Sequence, residues 1–221
     1  LHLPTLKTSL AYFHFPKTDV EPVLASKRFA FDEMLLVQLK ALQMKALFET
    51  SKAKSLKLNK DLLATFLDSL SFTLTKAQTK ALKEILADLT RAHPMNRLLN
   101  GDVGSGKTIL AAISALAAAS NGTQVAILAP TEVLARQHYE NLSKLFEGVD
   151  ESVALFTGSY RILHGQTVTR KTLQGALENG IIRIVVGTHA LLSEDVSFQN
   201  LSLIVVDEQH RFGVAQRAKL Q

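Results

Sequence analysis

The sequence of 221 residues contains no cysteine, and this absence removes several classes of protein. Without thiols there is no disulfide scaffold, no thiolate metal site and no cysteine nucleophile, and a reducing compartment is favoured. The longest apolar run, residues 109–119, is too short to span a bilayer. No secretory signal opens the chain. We therefore expect a cytoplasmic protein with no membrane partner.

Internal repeats and low-complexity tracts are absent as well. Hydrophobic residues make up 47% of the sequence, which is enough for a sizeable core. The net charge of +5 permits a nucleic-acid partner but does not establish one. The first residue is Leu1 and not Met, which suggests part of a longer protein.

Residues 1–70 are predicted to form an irregular and then helical connector from the end of an upstream domain. Three prolines make residues 1–22 irregular, a helix is predicted over residues 26–54, and a second runs over 59–70 with Asn59 as its N-cap. The apolar side chains of the longer helix are expected to be core and not a cofactor site. They are Phe29, Met34, Leu35, Val37, Leu39, Leu42, Met44, Leu47 and Phe48.

Residues 71–221 are predicted to form an α/β nucleotide-binding domain. A helix over 75–90 opens it, and short, wholly apolar segments then alternate with helices, which is typical of a parallel sheet buried on both faces. The predicted strands are 124–129, 153–156, 182–186 and 203–206. The helices between them are predicted over 131–146 and around 173–178.

A glycine-rich loop is the strongest motif in the chain. The sequence GDVGSGKT lies between a predicted strand over 97–99 and an Ala-rich helix, as in a phosphate-binding loop. Its glycines can adopt positive φ, so that backbone N–H groups surround a phosphate. Lys107 would contact the β- and γ-phosphates of ATP, and Thr108 would bind Mg²⁺. The loop residues are Gly101, Asp102, Val103, Gly104, Ser105, Gly106, Lys107 and Thr108.

A pair of carboxylates, Asp207 and Glu208, follows the last predicted strand. At the carboxyl edge of a parallel sheet, Asp207 would hold Mg²⁺ and Glu208 would orient and deprotonate the attacking water. His210 could contact the γ-phosphate or relay its loss. The alternative is a carboxylate pair that only begins a solvated loop, with His210 on the surface.

Phe72 and Gln78, ahead of the phosphate loop, form a candidate adenine site. An amide can pair with N6 and N7 of adenine, which would select ATP over GTP. Thr75 and Gln78 also have the spacing of a capping box, in which the amide binds the helix start. The sequence leaves these two readings open.

Polar residues follow three other strands: Thr131, Ser159 and Thr188. Hydroxyls and helix starts at such positions commonly contact nucleic-acid phosphates, although each alone is more often an N-cap. Basic residues nearby favour a groove that follows a nucleic-acid strand. They are Arg136, Arg161, Arg170 and Lys171.

Together these segments resemble the ordered motifs of superfamily 2 helicases, especially members that act on stalled replication forks. The motifs are GDVGSGKT at 101–108, APTEVLARQHYENL at 129–142, TGS at 157–159, GTHAL at 187–191 and DEQHRFG at 207–213. The upstream segments HFPKTD at 14–19 and FTLTKAQTKALKEILADL at 72–89 extend the resemblance over nearly the whole chain. A transcription-repair coupling translocase is the alternative within this class, although it typically has DEEH where this chain has DEQH.

The resemblance implies a RecA-like lobe, ATP and Mg²⁺ as cofactors, and branched or forked DNA as partner, in repair and recombination. It implies Gln78 on adenine, Lys107 and Thr108 on phosphate and Mg²⁺, and Asp207 and Glu208 in hydrolysis. Thr131, Ser159 and Thr188 would contact the DNA backbone. It also implies a second motor lobe with an arginine finger, and a wedge domain, outside this stretch. A nucleotide-binding module without turnover is the alternative of a different class.

Overall fold

The computed structural model describes residues 2–102, 104–149 and 151–208. It contains two compact units, Leu1–Lys52 and Ala53–Gln221. The division lies earlier than the predicted boundary at 70/71. The reason is that Leu56, Leu63 and Phe66 are buried in the core of the second unit.

The first unit consists of two helices, α1 over Leu6–His14 and α2 over Val20–Thr50. The prediction of an irregular segment over residues 1–22 is therefore wrong. Pro4 and Pro16 flank α1 without interrupting it, and Thr5 caps it by accepting a hydrogen bond from the Thr8 N–H. Pro22 lies in the first turn of α2, where a missing N–H breaks no helical hydrogen bond.

The apolar side chains of α2 are mostly exposed, which corrects the prediction that they form a core. Phe29 is half-buried and packs edge-on against Phe13, with ring centroids 5.8 Å apart. The side chain of Phe48 lies outside the described ones. The others are between 43% and 62% exposed: Met34, Leu35, Val37, Leu39, Leu42, Met44 and Leu47.

The second unit opens with α3 over Lys60–Ser69 and α4 over Lys76–Leu89. Asn59 caps α3 as predicted, by accepting a hydrogen bond from the Leu62 N–H. Thr75 caps α4 by accepting from the Gln78 N–H, which is one of the two readings that the sequence left open. Both helices pack against α5, over Lys107–Ala119.

The predicted strand over residues 97–99 does not form. Arg97 pairs with Glu84 and Asp88 of α4, each at 2.7 Å. The hydrogen bond to Asp88 is the main cause that raises the pKa of the Arg97 guanidinium. Leu98 is 81% exposed. These ion pairs hold the segment along a helix and not beside another strand.

A six-stranded sheet forms the centre of the second unit. Its strands are β1 Gln124–Leu128, β2 Val153–Phe156, β3 Arg161–Leu163, β4 Gln166–Thr167, β5 Ile184–Gly187 and β6 Leu201–Val206. They lie in the order β4-β3-β2-β5-β1-β6. The four strands β2, β5, β1 and β6 are parallel, as predicted, whereas β3 and β4 form an antiparallel hairpin against β2.

The β3–β4 hairpin was not predicted because its strands have only three and two residues. His164 and Gly165, with φ of 49° and 76°, make the turn between them. Positive φ at both central residues is what a tight turn with the twist of the flanking strands requires.

Helices cover both faces of the sheet. Alternate strand residues, such as Val125 and Ile127, pack with α5 and with α6, over Glu132–Leu145. The other face, with Leu128 and Phe156, packs with α7, over Arg170–Glu178, and a short 3₁₀ helix, His189–Leu192. No helix among the described residues is long and apolar enough to cross a membrane.

Candidate nucleotide and nucleic-acid site

The candidate site lies at one edge of the sheet, where the four parallel strands end. A tight turn at residues 120–123 joins α5 to β1, so these elements run antiparallel and α5 begins at the same edge. The Ala129 N–H donates to the Gly187 carbonyl, and the Asp207 N–H donates to the Leu128 carbonyl, both at 2.8 Å. The motifs that follow separate strands are thus brought together.

The glycine-rich loop has the backbone that a phosphate cradle needs. Gly104 and Gly106 both have φ of 80°, in the left-handed region. A Cβ on Gly101 would lie 2.7 Å from Ser105 Oγ, so a side chain there would require the Ser105 hydroxyl to rotate away. Val103 lies outside the described residues. The predicted requirement for glycine is confirmed by φ at two of the three positions.

The loop leads into α5 with the polarity that favours an anion. Gly106 is the N-cap and provides no side-chain hydrogen bond to the first turn. N–H groups there can serve a phosphate, aided by the positive end of the helix dipole. Thr108 lies in that first turn and is half-buried.

Lys107 is held across the loop. Its Nζ donates to the carbonyl oxygens of Gly101 and Asp102, at 2.7 and 2.8 Å. Both acceptors belong to the loop, and the ammonium therefore lies within it. This is the position from which a lysine can contact phosphate oxygens.

Gln78 forms the capping box and also contacts the loop. Its Oε1 accepts from the Thr75 N–H at 2.8 Å, and its Nε2 donates to the Ser105 carbonyl at 2.9 Å. A Cβ on Gly106 would lie 2.4 Å from Nε2, so a larger residue would displace the amide. The capping-box reading is confirmed, whereas the adenine role stays a prediction. Phe72, six residues before Gln78, is 47% exposed, and its adenine role also stays a prediction.

Asp207 and Glu208 follow β6 at the same edge. Asp207 Oδ2 accepts a hydrogen bond from Nε2 of His138 on α6, at 2.8 Å. Glu208 has φ of 51°, a backbone conformation that is strained for a residue with a side chain and that often occurs at functional sites. His210 lies outside the described residues.

Thr131 and Ser159 lie at the predicted nucleic-acid surface, joined by Glu132. Thr131 caps α6 by accepting from the Leu134 N–H at 3.3 Å, which is the N-cap alternative. Glu132 Oε1 accepts from the Ser159 N–H at 2.8 Å. Hydrogen bonds from Ser159, followed by those from Thr157 and Gly158, lower the pKa of the Glu132 carboxyl. Glu132 thus fastens the TGS loop to the start of α6.

The basic residues near this surface mostly have protein partners. Arg136 pairs with Glu140 at 3.0 Å, and its guanidinium carbon is 5.6 Å from the centroid of the Tyr160 ring. Arg170 donates to Asp195 and lies over the Phe156 ring. Arg161 donates to the Gly158 carbonyl, and Lys171 is exposed.

Thr188 differs from the other predicted DNA contacts. It precedes the 3₁₀ helix and is only 3% exposed. Its side chain is therefore inside the second unit, whereas Ser159 and Thr131 are exposed. The DNA contacts of all four residues, Arg136 included, stay predictions.

Two contacts of this edge were not predicted from the sequence. His138 and Glu132 meet residues that are 69 and 27 positions away in the chain. The signal for His138 was its place on the buried face of α6, between Ala135 and Leu142. A polar side chain on such a face needs a partner.

Relatives with known names match this chain in sequence. The helicase RecG of Bacillus subtilis (strain 168) is 47% identical over 220 residues, which are 99% of this chain and 32% of the relative. RecG of Synechocystis sp. is 45% identical over 218 residues, 97% of this chain and 25% of the relative. Both are named ATP-dependent DNA helicases. The chain thus spans between a quarter and a third of the length of these curated relatives.

A solved structure gives the same result. RecG bound to a three-way DNA junction matches with a TM-score of 0.83 and 39% identity, over 96% of this chain and 28% of that one. The model of the DEAD/DEAH box helicase family matches residues 75–221, from the N-cap of α4 onward. Because this match covers most of the sequence and includes every motif of the sheet edge, the chain belongs to the DEAD/DEAH box helicase family.

Proposed function

We propose that this chain binds Mg²⁺-ATP and is the first motor lobe of a DNA helicase that acts on branched DNA. The observation that carries the proposal is the loop before α5, with positive φ at Gly104 and Gly106 and the Lys107 ammonium held inside it. The chain spans only part of its relatives, and unwinding is therefore proposed for the whole protein.

On the ATP side, the residues present fit a magnesium nucleotide. Backbone N–H groups of the loop and Lys107 would hold the phosphates, while Thr108 and Asp207 would hold Mg²⁺, which neutralises charge on the phosphates. Mg²⁺ usually keeps several waters and is bound by one or two protein ligands together with substrate phosphates, and Thr108 and Asp207 would supply the protein ligands here. Glu208 would orient the attacking water and accept its proton.

On the DNA side, Thr131, Arg136 and Ser159 lie where the strands end and would contact the phosphate backbone. The solved RecG structure in complex with a three-way junction supports branched DNA as the partner. We place this activity in DNA repair and recombination in the cytoplasm. Affinity for DNA should fall as salt rises, because phosphate contacts release counterions.

The nucleotide site is tested by titrating ATP into the chain in a calorimeter. Lys107→Ala should weaken binding strongly, because it removes the ammonium from the loop. Lys144→Ala is the matched control, since Lys144 is an exposed lysine in the last turn of α6. Equal ATP affinity in wild type and Lys107→Ala would contradict the proposal.

Adenine selectivity is tested at Gln78. Gln78→Ala should reduce the preference for ATP over GTP if the amide also reads the base. Thr75→Ala is the control, because it removes the other half of the capping box and leaves the amide. If Gln78→Ala lowers stability but leaves the ATP-to-GTP affinity ratio unchanged, the amide serves only the helix cap.

Turnover is a separate question from binding. We expect slow hydrolysis by the 221-residue polypeptide alone, because an arginine finger is worth about 10³–10⁵ in rate and the family resemblance assigns it to a second lobe. Hydrolysis assays with and without branched DNA test this expectation. Robust DNA-stimulated turnover would mean that every catalytic group lies within these residues.

A further inference from the structure

We propose that His138 is a positioning residue that orients the Asp207 carboxylate for the magnesium ion of Mg²⁺-ATP. The inference rests on the proposed nucleotide binding and adds a residue to it. Its basis is the hydrogen bond of 2.8 Å from His138 Nε2 to Asp207 Oδ2. An ionised carboxylate can only accept, so the imidazole nitrogen is the donor.

The backbone of Asp207 is already fixed, which leaves its side chain as the variable part. The Asp207 N–H donates to the Leu128 carbonyl at 2.8 Å, which continues the pairing of β6 with β1 beyond Val206. The terminal torsion of an aspartate is broad and two-fold, and backbone pairing alone does not choose an orientation. The hydrogen bond from His138 selects one orientation of the carboxylate, because it is made to Oδ2.

The donor is itself held firmly. His138 lies in the second turn of α6, on the face where Ala135 and Leu142 are fully or almost fully buried. Its side chain is 17% exposed, against 34% for Asp207. Donors carried by packed helices hold their geometry better than donors on loops. The His138 imidazole can therefore hold the Asp207 carboxylate in one orientation at the sheet edge.

The hydrogen bond uses Oδ2 and leaves Oδ1 as the oxygen to face the ion or its coordinated water. Partners that orient a metal-binding side chain typically change metal affinity by about tenfold or more when they are removed. A purely structural contact would act on fold stability and would weaken every nucleotide complex alike. The two roles therefore predict different dependence on Mg²⁺.

The test compares ATP affinity with Mg²⁺ and with EDTA, measured by calorimetry on the whole chain. His138→Leu, of similar size and without a donor, should lower affinity for Mg²⁺-ATP about tenfold and leave metal-free ATP affinity unchanged. His138→Gln, whose amide nitrogen can replace Nε2, should restore most of the loss. Gln137→Leu is the matched control, since Gln137 is the exposed neighbour on the same helix.

Each outcome decides a different point. If His138→Leu binds Mg²⁺-ATP as well as wild type does, or weakens both complexes equally, the positioning role is overturned. If His138→Leu does not fold, His138→Asn replaces it, because its amide is too short to reach Asp207 and the same Mg²⁺-specific loss is expected. If the wild-type chain binds no ATP in either condition, the proposed function fails and not this inference alone.

Discussion

Helices α5 and α2 both contain many apolar residues, but these residues lie in opposite environments. In α5, every residue from Ile109 to Ala119 is buried except Ala111, which is half-buried. In α2, eight large apolar side chains from Met34 to Leu47 are at least 43% exposed. Apolar residues on a helix therefore show that the helix could be buried, but they do not show which element, if any, covers it.

The difference follows from the neighbours that each helix has. Helix α5 packs against α3, α4, α6 and two strands, which together cover most of its surface. In the first unit, α2 has 31 residues and α1 only nine. At a rise of about 1.5 Å per residue, a helix of about 14 Å cannot cover one of about 46 Å.

Matched truncations should give the largest effect on this comparison. Leu116→Ala in α5 removes a side chain with no exposure and should lower the free energy of unfolding by about 2–5 kcal/mol. Leu42→Ala in α2, at 59% exposure, should change it by about 0.5 kcal/mol or less. Urea denaturation measures both. Equal losses would mean that α2 is covered in solution.

Two glycines allow the same comparison between a crowded and an open position of the backbone. A Cβ on Gly187, in β5, would lie 2.2 Å from the Phe156 carbonyl oxygen of β2, so Gly187→Ala should cost about 1–3 kcal/mol through a forced backbone shift. On α7, Gly175 has nothing within 4 Å, and Gly175→Ala should stabilise by about 0.4–1 kcal/mol. Thermal unfolding of both variants checks the opposite signs. A shift in the same direction would contradict this account.

Matched helix caps allow the stability of the two units to be compared. Thr5 and Thr131 make the same hydrogen bond to the third residue of their helices. Replacing either by Ala should cost about 1 kcal/mol. Hydrogen exchange should register Thr5→Ala in residues 6–50 and Thr131→Ala in the second unit. Thr→Ser at either position should restore protection, because the serine hydroxyl can cap in the same way.

The smallest effect is expected at an exposed charge. Asp195 has a pKa lowered from 3.8 to about 2, through hydrogen bonds from Ser193 and then Arg170. A lowered pKa in the folded chain means that its stabilisation is present above pH 3.8 and is lost as the pH falls towards 2. Asp195→Asn should remove this part of the acid dependence of the melting temperature. Because the carboxylate is solvent-exposed, added salt should shrink the difference, and a salt-independent difference would argue against this cause.

Features fixed by neighbouring residues were predictable. The caps at Asn59, Thr75 and Thr131 depend on contacts within one turn; the first was predicted, and the other two were alternatives that the sequence left open. The parallel strands depend on continuous apolar runs, which mark burial on both faces. Because parallel strands end at the same edge of a sheet, the apolar runs also predict that the motifs following them lie together. The glycines of the glycine-rich loop follow from the phosphate-binding role that the sequence predicts for it.

Features that depend on distant residues could not be predicted. The strand expected over residues 97–99 does not form, and Arg97 instead makes ion pairs with α4. No local sequence pattern predicts such pairs. The contacts of His138 and Glu132 cross from one motif to another and appear only after folding. Helix α1 was missed because the prolines that seemed to break the segment stand outside the helix.

The β3–β4 hairpin determines which strand stands at one edge of the sheet. Without it, β2 would be an edge strand, and all four of its residues, Val153–Phe156, are buried and apolar. Such an edge is a template on which a second chain can add a strand. The hairpin replaces it with β4, an exposed strand of two residues, which is too short for another chain to extend. The hairpin closed by His164 and Gly165 thereby keeps the apolar strand β2 away from this edge of the sheet.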